Sequence, residues 1–574
     1  MLLVSLGVFI FSLVFIYIRY WIINNWTGNP ANDEKIQKKR IRVRKQKDEL
    51  SEKLSGKSEE YVAILSLSFE DLLHKLKNDD LKAIQVLNAY RNKALEVTAT
   101  LNCVTEFIDE ADELANQLDT VPKEDRKPLH GLPISLKDNV GVTGYDATVG
   151  IAKFLDSPCR ADAVIVSVLK SLGAVPFCKT NIPQTMLSFG CDNPVWGQTR
   201  NPHNPSRSPG GSSGGEGSLI GGGGSIVGIG SDIGGSARIP AAFCGLASIK
   251  PTAGRISYHG FKKSIKGILG VDSVPGILAK DVDAVIGVSR HLFGNRLQSE
   301  LDPLLPVIDW NEKAFTSQKK LKIGYYLEDD FVPATPGMKR AVKEAMAALE
   351  KSGHELVPFR PFDIGNVTAL AIRLLQADGG HYFKEIMFGE RVASVLMLTK
   401  LGVHIPNCFK KFLSFIISFV SPRIAKVFQA SGGTCTNSSR ELWAAVHLKD
   451  DYVRIVSDAW KREGLDLLIC PAFACPAPEI GLEGRFTPCV SYTLTYNILN
   501  FPCGILPVSK ESQEDQEELK QYPRDDKLLS EIAKTTEGAI GLPLCVQVVG
   551  LPWQEELVLR GMKEIENRVK NLQS

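Results

Sequence analysis

The stretch SPGGSSGGEGSLIGGGGSIVGIGSDIGGSAR, residues 208–238, decides most about this chain. Glycine at this density indicates many backbone positions with positive φ or with close approach of two chain segments. A phosphate-binding loop is excluded, because the pattern G-x-x-x-x-G-K-[ST] needs a lysine and the stretch has none. A dinucleotide-binding fingerprint is not completed after Gly230, and a flexible linker would lack apolar residues such as Ile226 and Ile229. A catalytic use of the glycines remains.

Glycine-rich turns can aim several backbone N–H groups at one point, which is what a developing oxyanion requires. The stretch contains four candidate nucleophiles, Ser212, Ser213, Ser231 and Ser236. Ser236 directly follows two glycines, so unhindered amides lie beside its hydroxyl. Ser213 is the centre of a G-x-S-x-G pattern, the nucleophile elbow of α/β-hydrolases. That alternative needs an acid and then a histidine downstream, and no following histidine stands in a recognisable motif.

The rest of the chain alternates between helical periodicity and short apolar runs. We predict strands over residues 174–177, 322–327, 467–470 and 544–549, and helices over 161–172 and 335–352. For the last helix, Thr335 is placed to cap the start, Pro336 suits the first turn and Gly353 suits the position after the end. Strands interleaved with helices over some 500 residues indicate an α/β architecture around a mixed sheet.

Three long segments in fixed order resemble the amidase signature family. They are GLPISLKDN at 131–139, SPGGSSGG at 208–215 and GSDIGGSARIP at 230–240, and IKPT at 249–252 and VQ at 546–547 continue the match. The resemblance covers residues 90–560 or so. Within the family the chain is similar to the animal fatty acid amide hydrolases, through MLS at 186–188, SYTLTYN at 491–497, LPWQEEL at 551–557 and an apolar amino terminus. The fold implied is a large twisted mixed β-sheet core surrounded by helices.

The resemblance implies a Ser-Ser-Lys triad, with Ser236 as nucleophile, Ser212 as bridging serine and Lys137 as base. It also implies an oxyanion hole formed by the backbone amides of Ile233, Gly234, Gly235 and Ser236. A lysine acts as a base near neutral pH only if burial favours its neutral form, and Lys137 follows a mainly apolar run. Three neighbours are expected to be structural: Ser213 in the turn, Asp232 and Arg238 as an ion pair. Cys244 is expected to be a packed thiol.

The substrates implied are long-chain fatty acid amides, namely N-acylethanolamines and primary fatty amides, cleaved through an acyl-enzyme. The residues expected to bind substrate are Met186, Leu187, Ser188, Phe189 and Trp553. The chain departs from the resemblance at Leu187 and Gln376, where aromatic side chains are expected, so the acyl-chain preference is left open.

The amino terminus predicts a membrane anchor. Residues 2–23 are apolar apart from Arg19, and a helix of that length crosses a hydrocarbon layer about 30 Å thick. We therefore divide the chain into a transmembrane anchor at 1–27, a basic, partly helical linker at 28–60 and a catalytic domain at 61–574. Eight basic residues follow the anchor and none precedes it, so the catalytic domain is expected in the cytosol. Endoplasmic reticulum is the expected membrane.

A second apolar segment, residues 404–428, is too short in its uncharged part to span a bilayer. It is either a buried core helix or a cap that dips into one leaflet, with basic residues near lipid headgroups. The resemblance favours a membrane-binding cap whose apolar contacts are Phe409, Phe412, Ile416 and Phe419.

Composition excludes other classes. A net charge of +2 gives no basic field, so no nucleic-acid partner is expected. The twelve cysteines show no recurring spacing and are expected to be reduced. No metal site and no cofactor are expected. The family suggests a homodimer.

Two further functions remain to be discriminated: a soluble amidase or glutaminase-like amidotransferase subunit, and a non-catalytic membrane scaffold. The presence of all three triad residues disfavours the scaffold.

Overall fold

The computed structural model describes residues 28–56, 58–405, 407–431 and 438–573. Its centre is an 11-stranded mixed sheet with the strand order β1-β3-β2-β4-β6-β5-β10-β11-β9-β7-β8. The strands are β1 Val104–Phe107, β2 Pro133–Lys137, β3 Val175–Thr180, β4 Val227–Asp232, β5 Ala247–Lys250, β6 Val274–Ala279, β7 Lys322–Tyr325, β8 Glu355–Pro358, β9 Leu467–Pro471, β10 Cys503–Lys510 and β11 Pro543–Val549. This confirms the predicted mixed α/β core.

Parallel and antiparallel pairs both occur in the sheet. β2 lies between β3 and β4 and is parallel to both, whereas β4 to β6, β6 to β5, β5 to β10, β10 to β11 and β11 to β9 are antiparallel. β2, β4 and β11 are buried along their whole length. Burial on both faces of these strands is expected for a sheet covered by helices on two sides.

Helices surround this sheet. They are α1 Pro30–Leu54, α2 Ser58–Leu65, α3 Phe69–Lys77, α4 Ala83–Leu101, α5 Ala111–Asp119, α6 Val164–Ser171, α7 Gly214–Gly221, α8 Arg238–Cys244, α9 Val282–Leu292, α10 Arg296–Leu301, α11 Glu312–Thr316, α12 Pro336–Lys351, α13 Ile364–Leu375, α14 His381–Met387, α15 Met397–His404, α16 Asn407–Ser418, α17 Pro422–Ala430, α18 Ser439–Arg462, α19 Ser491–Ile498, α20 Gln513–Glu518, α21 Lys527–Thr536 and α22 Glu555–Gln573. None of them is long and apolar enough to cross a membrane. The predicted anchor at 1–27 lies outside the described residues.

The helix predicted over 335–352 is α12, and its ends show which capping signals act. Gly353 follows the helix with φ +85°, in the left-handed region, as expected. Thr335 occupies the N-cap position, but its side chain makes no capping hydrogen bond. Its hydroxyl is buried without a partner among the described residues. The sequence therefore predicted the ends of the helix correctly, whereas the predicted cap by the Thr335 hydroxyl does not form.

The segment expected to be a basic linker contains α1, a 25-residue helix that packs on the body of the protein. Ile36, Val43 and Leu54 are buried on its inner side. Lys39 is buried too, and its ammonium lies 2.7 Å from Glu106 and 3.0 Å from Asp146. A buried charge is tolerated only when it is paired, so these contacts fix α1 against β1 and the loop after β2.

Replacing Lys39 with methionine is expected to lower the free energy of unfolding by about 3 kcal/mol, because buried Asp146 loses its cationic partner and buried Glu106 keeps only the exposed Arg42. Urea titration followed by tryptophan fluorescence measures this change. Lys38→Met is the matched control, since Lys38 pairs with Glu34 at an exposed position of the same helix. Its expected change is below about 1 kcal/mol. Equal changes in the two variants would contradict a buried clamp at Lys39.

Candidate active site

Lys137, the last residue of β2, is fully buried. Its Nζ lies 2.7 Å from Ser212 Oγ and 2.9 Å from Ser231 Oγ. Burial disfavours the charged ammonium and lowers the pKa of Lys137 to about 7, against the opposing charges of nearby acids. Lys137 is thus placed to exchange a proton with Ser212 near neutral pH. The contact to Ser231 was not predicted from the sequence.

Ser212 lies in a tight turn before α7, and its peptide bond with Gly211 is cis. A Cβ at Gly211 would lie 2.7 Å from the carbonyl oxygen of Gly190, so only glycine fits this turn. The next residue, Ser213, donates its backbone N–H to the carbonyl of Ser236 at 3.0 Å. This bond joins the turn that carries Ser212 to the loop that carries Ser236.

Ser236 lies in the loop between β4 and α8, where four backbone amides were predicted to form an oxyanion hole. Gly235 has φ +121°, and a Cβ there would collide with Thr493. Its N–H donates to Asp232 Oδ1 at 2.9 Å. The N–H groups of Ile233, Gly234 and Ser236 have no acceptor among the described residues. Three of the four amides are therefore unengaged in this structure, and of these Ile233 and Ser236 belong to residues that line the cavity described below, whereas the N–H of Gly235 is engaged.

The predicted ion pair between Asp232 and Arg238 is confirmed and fully buried, at 3.0 Å. Arg238 also donates to the carbonyl of Thr493 at 3.0 Å, to Gln547 Oε1 at 2.8 Å and to Asn497 Oδ1 at 2.5 Å. Burial alone would raise the pKa of Asp232, but the charge of Arg238 outweighs it and holds that pKa well below its usual range. Residues from three separated motifs therefore meet around one guanidinium, behind the nucleophile loop.

Glu216 in α7 is a buried carboxyl group that the sequence analysis missed. It accepts hydrogen bonds from Ser135 Oγ at 2.5 Å and from Thr180 Oγ1 at 2.8 Å. Burial raises its pKa to about 7. These bonds tie α7, which follows Ser212, to β2, which carries Lys137. A glutamate within the small-residue sequence GGEGSLIG was the available signal, since an acidic side chain there needs a partner.

Ser212 and Ser236 line one small cavity of about 30 Å³. Its lining also includes Met186 and Leu187, as predicted. Ser188, Phe189 and Trp553 are not among its lining residues. Ser188 accepts from the N–H of Gly190 at 3.0 Å, Phe189 packs on Phe473 at 5.5 Å, and Trp553 is half exposed beside Gly254.

A second, apolar cavity of about 10 Å³ adjoins the first. The two share Leu187, Ile265 and Leu375 in their linings. Beyond these residues the second cavity is lined by Gln376, Asp378, Gly380, Phe383, Thr399 and Val403. Leu187 and Gln376, the two departures from the resemblance, thus both line the second cavity. Thr399 and Val403 in its wall belong to α15, the helix before α16.

The predicted cap consists of α16 and α17 in the structure. Phe409, Phe412, Phe415, Ile416, Phe419 and Val420 are exposed, by 46% to 77%. They recur at helical spacing along α16 and its end, so they form one outward apolar face. The basic residues of this segment were expected near lipid headgroups, but two of them contact other parts of the protein. Lys410 is buried against the carbonyl of Ser431, and Arg423 pairs with Asp526 at 2.9 Å. Lys411 remains exposed.

No group of three or more His, Cys, Asp or Glu side chains in the described parts of the chain is placed to hold a metal ion. All ten cysteines described there are free thiols.

Comparison with known proteins places these features in context. The family model described as Amidase matches residues 85–559. The chain is 37% identical over 547 residues to fatty acid amide hydrolase 1 of Caenorhabditis elegans, covering 92% of this chain and 94% of the relative. It is 38% identical over 506 residues to fatty-acid amide hydrolase 1 of Sus scrofa, covering 88% and 86%.

More distant relatives also match over most of this chain. An acetamidase of Emericella nidulans is 30% identical over 537 residues, covering 90% of this chain and 91% of the relative. A solved structure of a fatty acid amide hydrolase superposes with a TM-score of 0.81 at 24% identity, covering 96% of this chain and 98% of that one. At that identity the superposition shows the shared fold.

Proposed function

Because the chain belongs to the amidase family and is an amide-hydrolysing enzyme, we propose that it is a membrane-bound serine hydrolase of long-chain fatty acid amides. In this proposal Ser236 is the nucleophile, Ser212 the bridging serine and Lys137 the base. The observation that carries it is the 2.7 Å contact between Lys137 Nζ and Ser212 Oγ, fully buried beside a cavity that Ser236 also lines.

The acylation step follows from the protonation state of Lys137. Neutral Lys137 accepts a proton from Ser212, and Ser212 accepts one from Ser236 as the Ser236 oxygen attacks the amide carbonyl. The oxyanion that forms accepts hydrogen bonds from the amides of Ile233, Gly234 and Ser236. Loss of one such donor typically costs about 3 kcal/mol of barrier. Gly235 could contribute if its N–H turned away from Asp232.

The relay then runs in reverse. Lys137 returns its proton to Ser212, and Ser212 gives one to the amide nitrogen as the C–N bond breaks. This step matters for amides because an unprotonated amine is a poor leaving group. Water next attacks the acyl-enzyme by the same relay, which releases the fatty acid and restores Ser236. Each step consists of two proton transfers, one between Lys137 and Ser212 and one between Ser212 and the reacting group.

The apolar lining of the second cavity, and not its small volume, supports a long acyl chain in the substrate. An acyl group bound to Ser236 would extend past Leu187, Ile265 and Leu375 toward Phe383 and Val403. Leucine at 187 and glutamine at 376, in place of aromatic rings, would change the width of the second cavity. The preferred acyl-chain length of this enzyme is therefore expected to differ from that of relatives with aromatic residues there.

The exposed face of α16 supports membrane binding. Exposing six apolar side chains to water is unfavourable in free energy. Burying them in one leaflet of a membrane would remove that unfavourable term. We further propose the anchor at 1–27, a single-pass topology in an internal membrane such as the endoplasmic reticulum, a cytosolic catalytic domain and a homodimer. The second candidate function is hydrolysis of small amides, which the full-length similarity to acetamidases favours.

The long-chain proposal predicts that the detergent-purified enzyme hydrolyses oleamide with a higher kcat/KM than butyramide. Fatty acid release is the measurement. Ser236→Ala is expected to lower kcat by at least about 10³-fold for both substrates, because the nucleophile is removed. Ser225→Ala is the matched control from the same glycine-rich stretch. Its hydroxyl bonds only the carbonyl of Val227, so activity should be kept. A preference for butyramide would favour the small-amide function, and full activity of Ser236→Ala would exclude the triad.

The membrane proposal predicts that Phe412→Asp combined with Phe419→Asp lowers kcat/KM for oleamide presented in vesicles by about tenfold or more, since charges on this face oppose insertion. Hydrolysis of water-soluble butyramide should be unchanged in the same variant. Ile41→Asp on α1 is the control, because Ile41 is an exposed apolar residue outside the cap. An equal loss for both substrates would contradict a role in membrane access.

A further inference from the structure

The base of the proposed relay contacts two hydroxyl groups. Lys137 Nζ lies 2.7 Å from Ser212 Oγ and 2.9 Å from Ser231 Oγ, and it lies 3.5 Å from the Ser231 carbonyl oxygen. A neutral amine has a single lone pair, so it accepts a hydrogen from only one of the two hydroxyls at a time. The relay requires that hydrogen to come from Ser212. The Ser231 hydroxyl must therefore accept from Lys137 and point its own hydrogen at another acceptor.

Asn139 determines the direction of the hydrogen bonds at a neighbouring tyrosine. Its Nδ2 lies 3.2 Å from the carbonyl oxygen of Lys262 and 3.4 Å from the hydroxyl oxygen of Tyr258. A carbonyl oxygen can only accept, so the amide presents its NH₂ group on this side and donates to both oxygens. The Tyr258 hydroxyl thus accepts from Asn139. It keeps a lone pair for a second donor and a hydrogen to donate.

Ser231 is placed to be that second donor. The side chains of Ser231 and Ser273 bond the Tyr258 hydroxyl, and all three residues line the same cavity as the two triad serines. The hydrogens can then run in one direction, from Lys137 to Ser231, from Ser231 to Tyr258 and from Tyr258 to Ser273. In this arrangement the lone pair of Lys137 is left for Ser212.

The ring of Tyr258 is held in place independently of its hydroxyl. It stacks on Phe261, with the ring centres 4.4 Å apart and the planes inclined by 16°. The Lys263 ammonium lies 5.6 Å from the centre of the same ring. Because phenylalanine would keep both contacts, Tyr258→Phe removes the hydroxyl and leaves the packing of the ring.

The acidic groups around Lys137 belong to separate segments of the chain. They are Asp138, Cys191, Glu216 and Asp232. Asp232 is paired with Arg238, and burial raises the pKa of the other three. The direction of the Ser231 hydroxyl then acts on the same equilibrium. A hydroxyl that accepts from the amine favours the charged lysine, and one that donates to it favours the neutral lysine.

We propose that Tyr258 is a positioning residue for the base: its hydroxyl accepts from Ser231, and this holds the lone pair of Lys137 on Ser212. The inference rests on the proposed function and adds a residue to its relay. Tyr258 itself takes no proton in the reaction. It acts on the fraction of the enzyme in which Lys137 can accept a hydrogen from Ser212.

The test measures kcat and KM between pH 5 and 9 in Tyr258→Phe, for oleamide and for butyramide. Without the tyrosine hydroxyl, Ser231 turns its hydrogen to Lys137 and occupies the lone pair. We expect kcat to fall about fivefold for both amides, the rate equivalent of one hydrogen bond, with KM changed by less than about twofold. The midpoint of the rise in kcat should move to lower pH by at least about half a unit, because the neutral lysine gains a hydrogen bond.

Two further variants separate this role from a general loss of structure. Tyr452→Phe is the matched control, because the Tyr452 hydroxyl on α18 donates to the carbonyl of Phe362 at 3.0 Å, outside both cavities. It should keep kcat and the pH midpoint. Ser231→Ala removes the hydroxyl through which Tyr258 acts. In that background Tyr258→Phe should change kcat by less than about twofold.

The outcomes separate this inference from the proposed function. An unchanged pH midpoint in Tyr258→Phe would overturn the positioning role, and so would the same loss of kcat with and without the Ser231 hydroxyl. A rise in KM with kcat unchanged would overturn it too, since Tyr258 would then bind substrate. The proposed function fails on a different result, activity that survives in Ser236→Ala, whatever Tyr258→Phe does.

Discussion

The contact between a buried lysine and Ser212 is the interaction on which the rest of this site depends. An ammonium group cannot remain charged in an apolar interior without partners, and Lys137 is surrounded by strand residues on β3 and β4 and by serine hydroxyls. Its neutral form is favoured only while nearby negative charge is weak. Asp232 is neutralised by Arg238, and burial raises the pKa of Glu216 to about 7. The surrounding acids are thus arranged so that Lys137 can act as a base.

The glycine-rich stretch meets a geometric demand set by the same contact. Ser212 and Ser236 come from two separate segments and must lie beside one cavity. Gly211 and Gly235 allow those segments to approach Gly190 and Thr493 more closely than any side chain permits. The bond from Ser213 N–H to the Ser236 carbonyl then holds the two segments together. The glycine content here reflects close packing of backbone segments around the two serines.

Much of the site was predictable from sequence because its residues stand in contiguous motifs. Ser212, Ser236, Met186 and Leu187 stand in such motifs, and the structure places them around one cavity. Lys137 does too, and it lies buried behind Ser212. The strands and α12 were predictable because apolar runs and capping residues act locally. The ion pair of Asp232 with Arg238 was found for the same reason, since the two residues are six apart.

Contacts between distant segments could not be predicted. The docking of α1 depends on Lys39 meeting Asp146, 107 residues away, and the sequence alone showed only a basic tract. The partners of Glu216 and the second contact of Lys137 also arise from the sheet order. Phe189 and Trp553 lie outside the cavity lining, because similarity to a motif does not determine which way a side chain points. Lys410 and Arg423 point inward for a comparable reason, since their partners, the Ser431 carbonyl and Asp526, lie on other segments.

The measurement that tests the central claim most directly is the pH dependence of kcat/KM for oleamide between pH 5 and 9, in the wild type and in Lys137→Ala. Burial lowers the pKa of Lys137 to about 7, so the lysine holds a proton below that pH and cannot accept one from Ser212. The wild type should gain activity with rising pH through an apparent pKa near 7 and then level off. Lys137→Ala should lose this limb and fall about 10²-fold or more at pH 8, the usual contribution of a general base. The same pH profile in both proteins would contradict the assignment of Lys137 as the base.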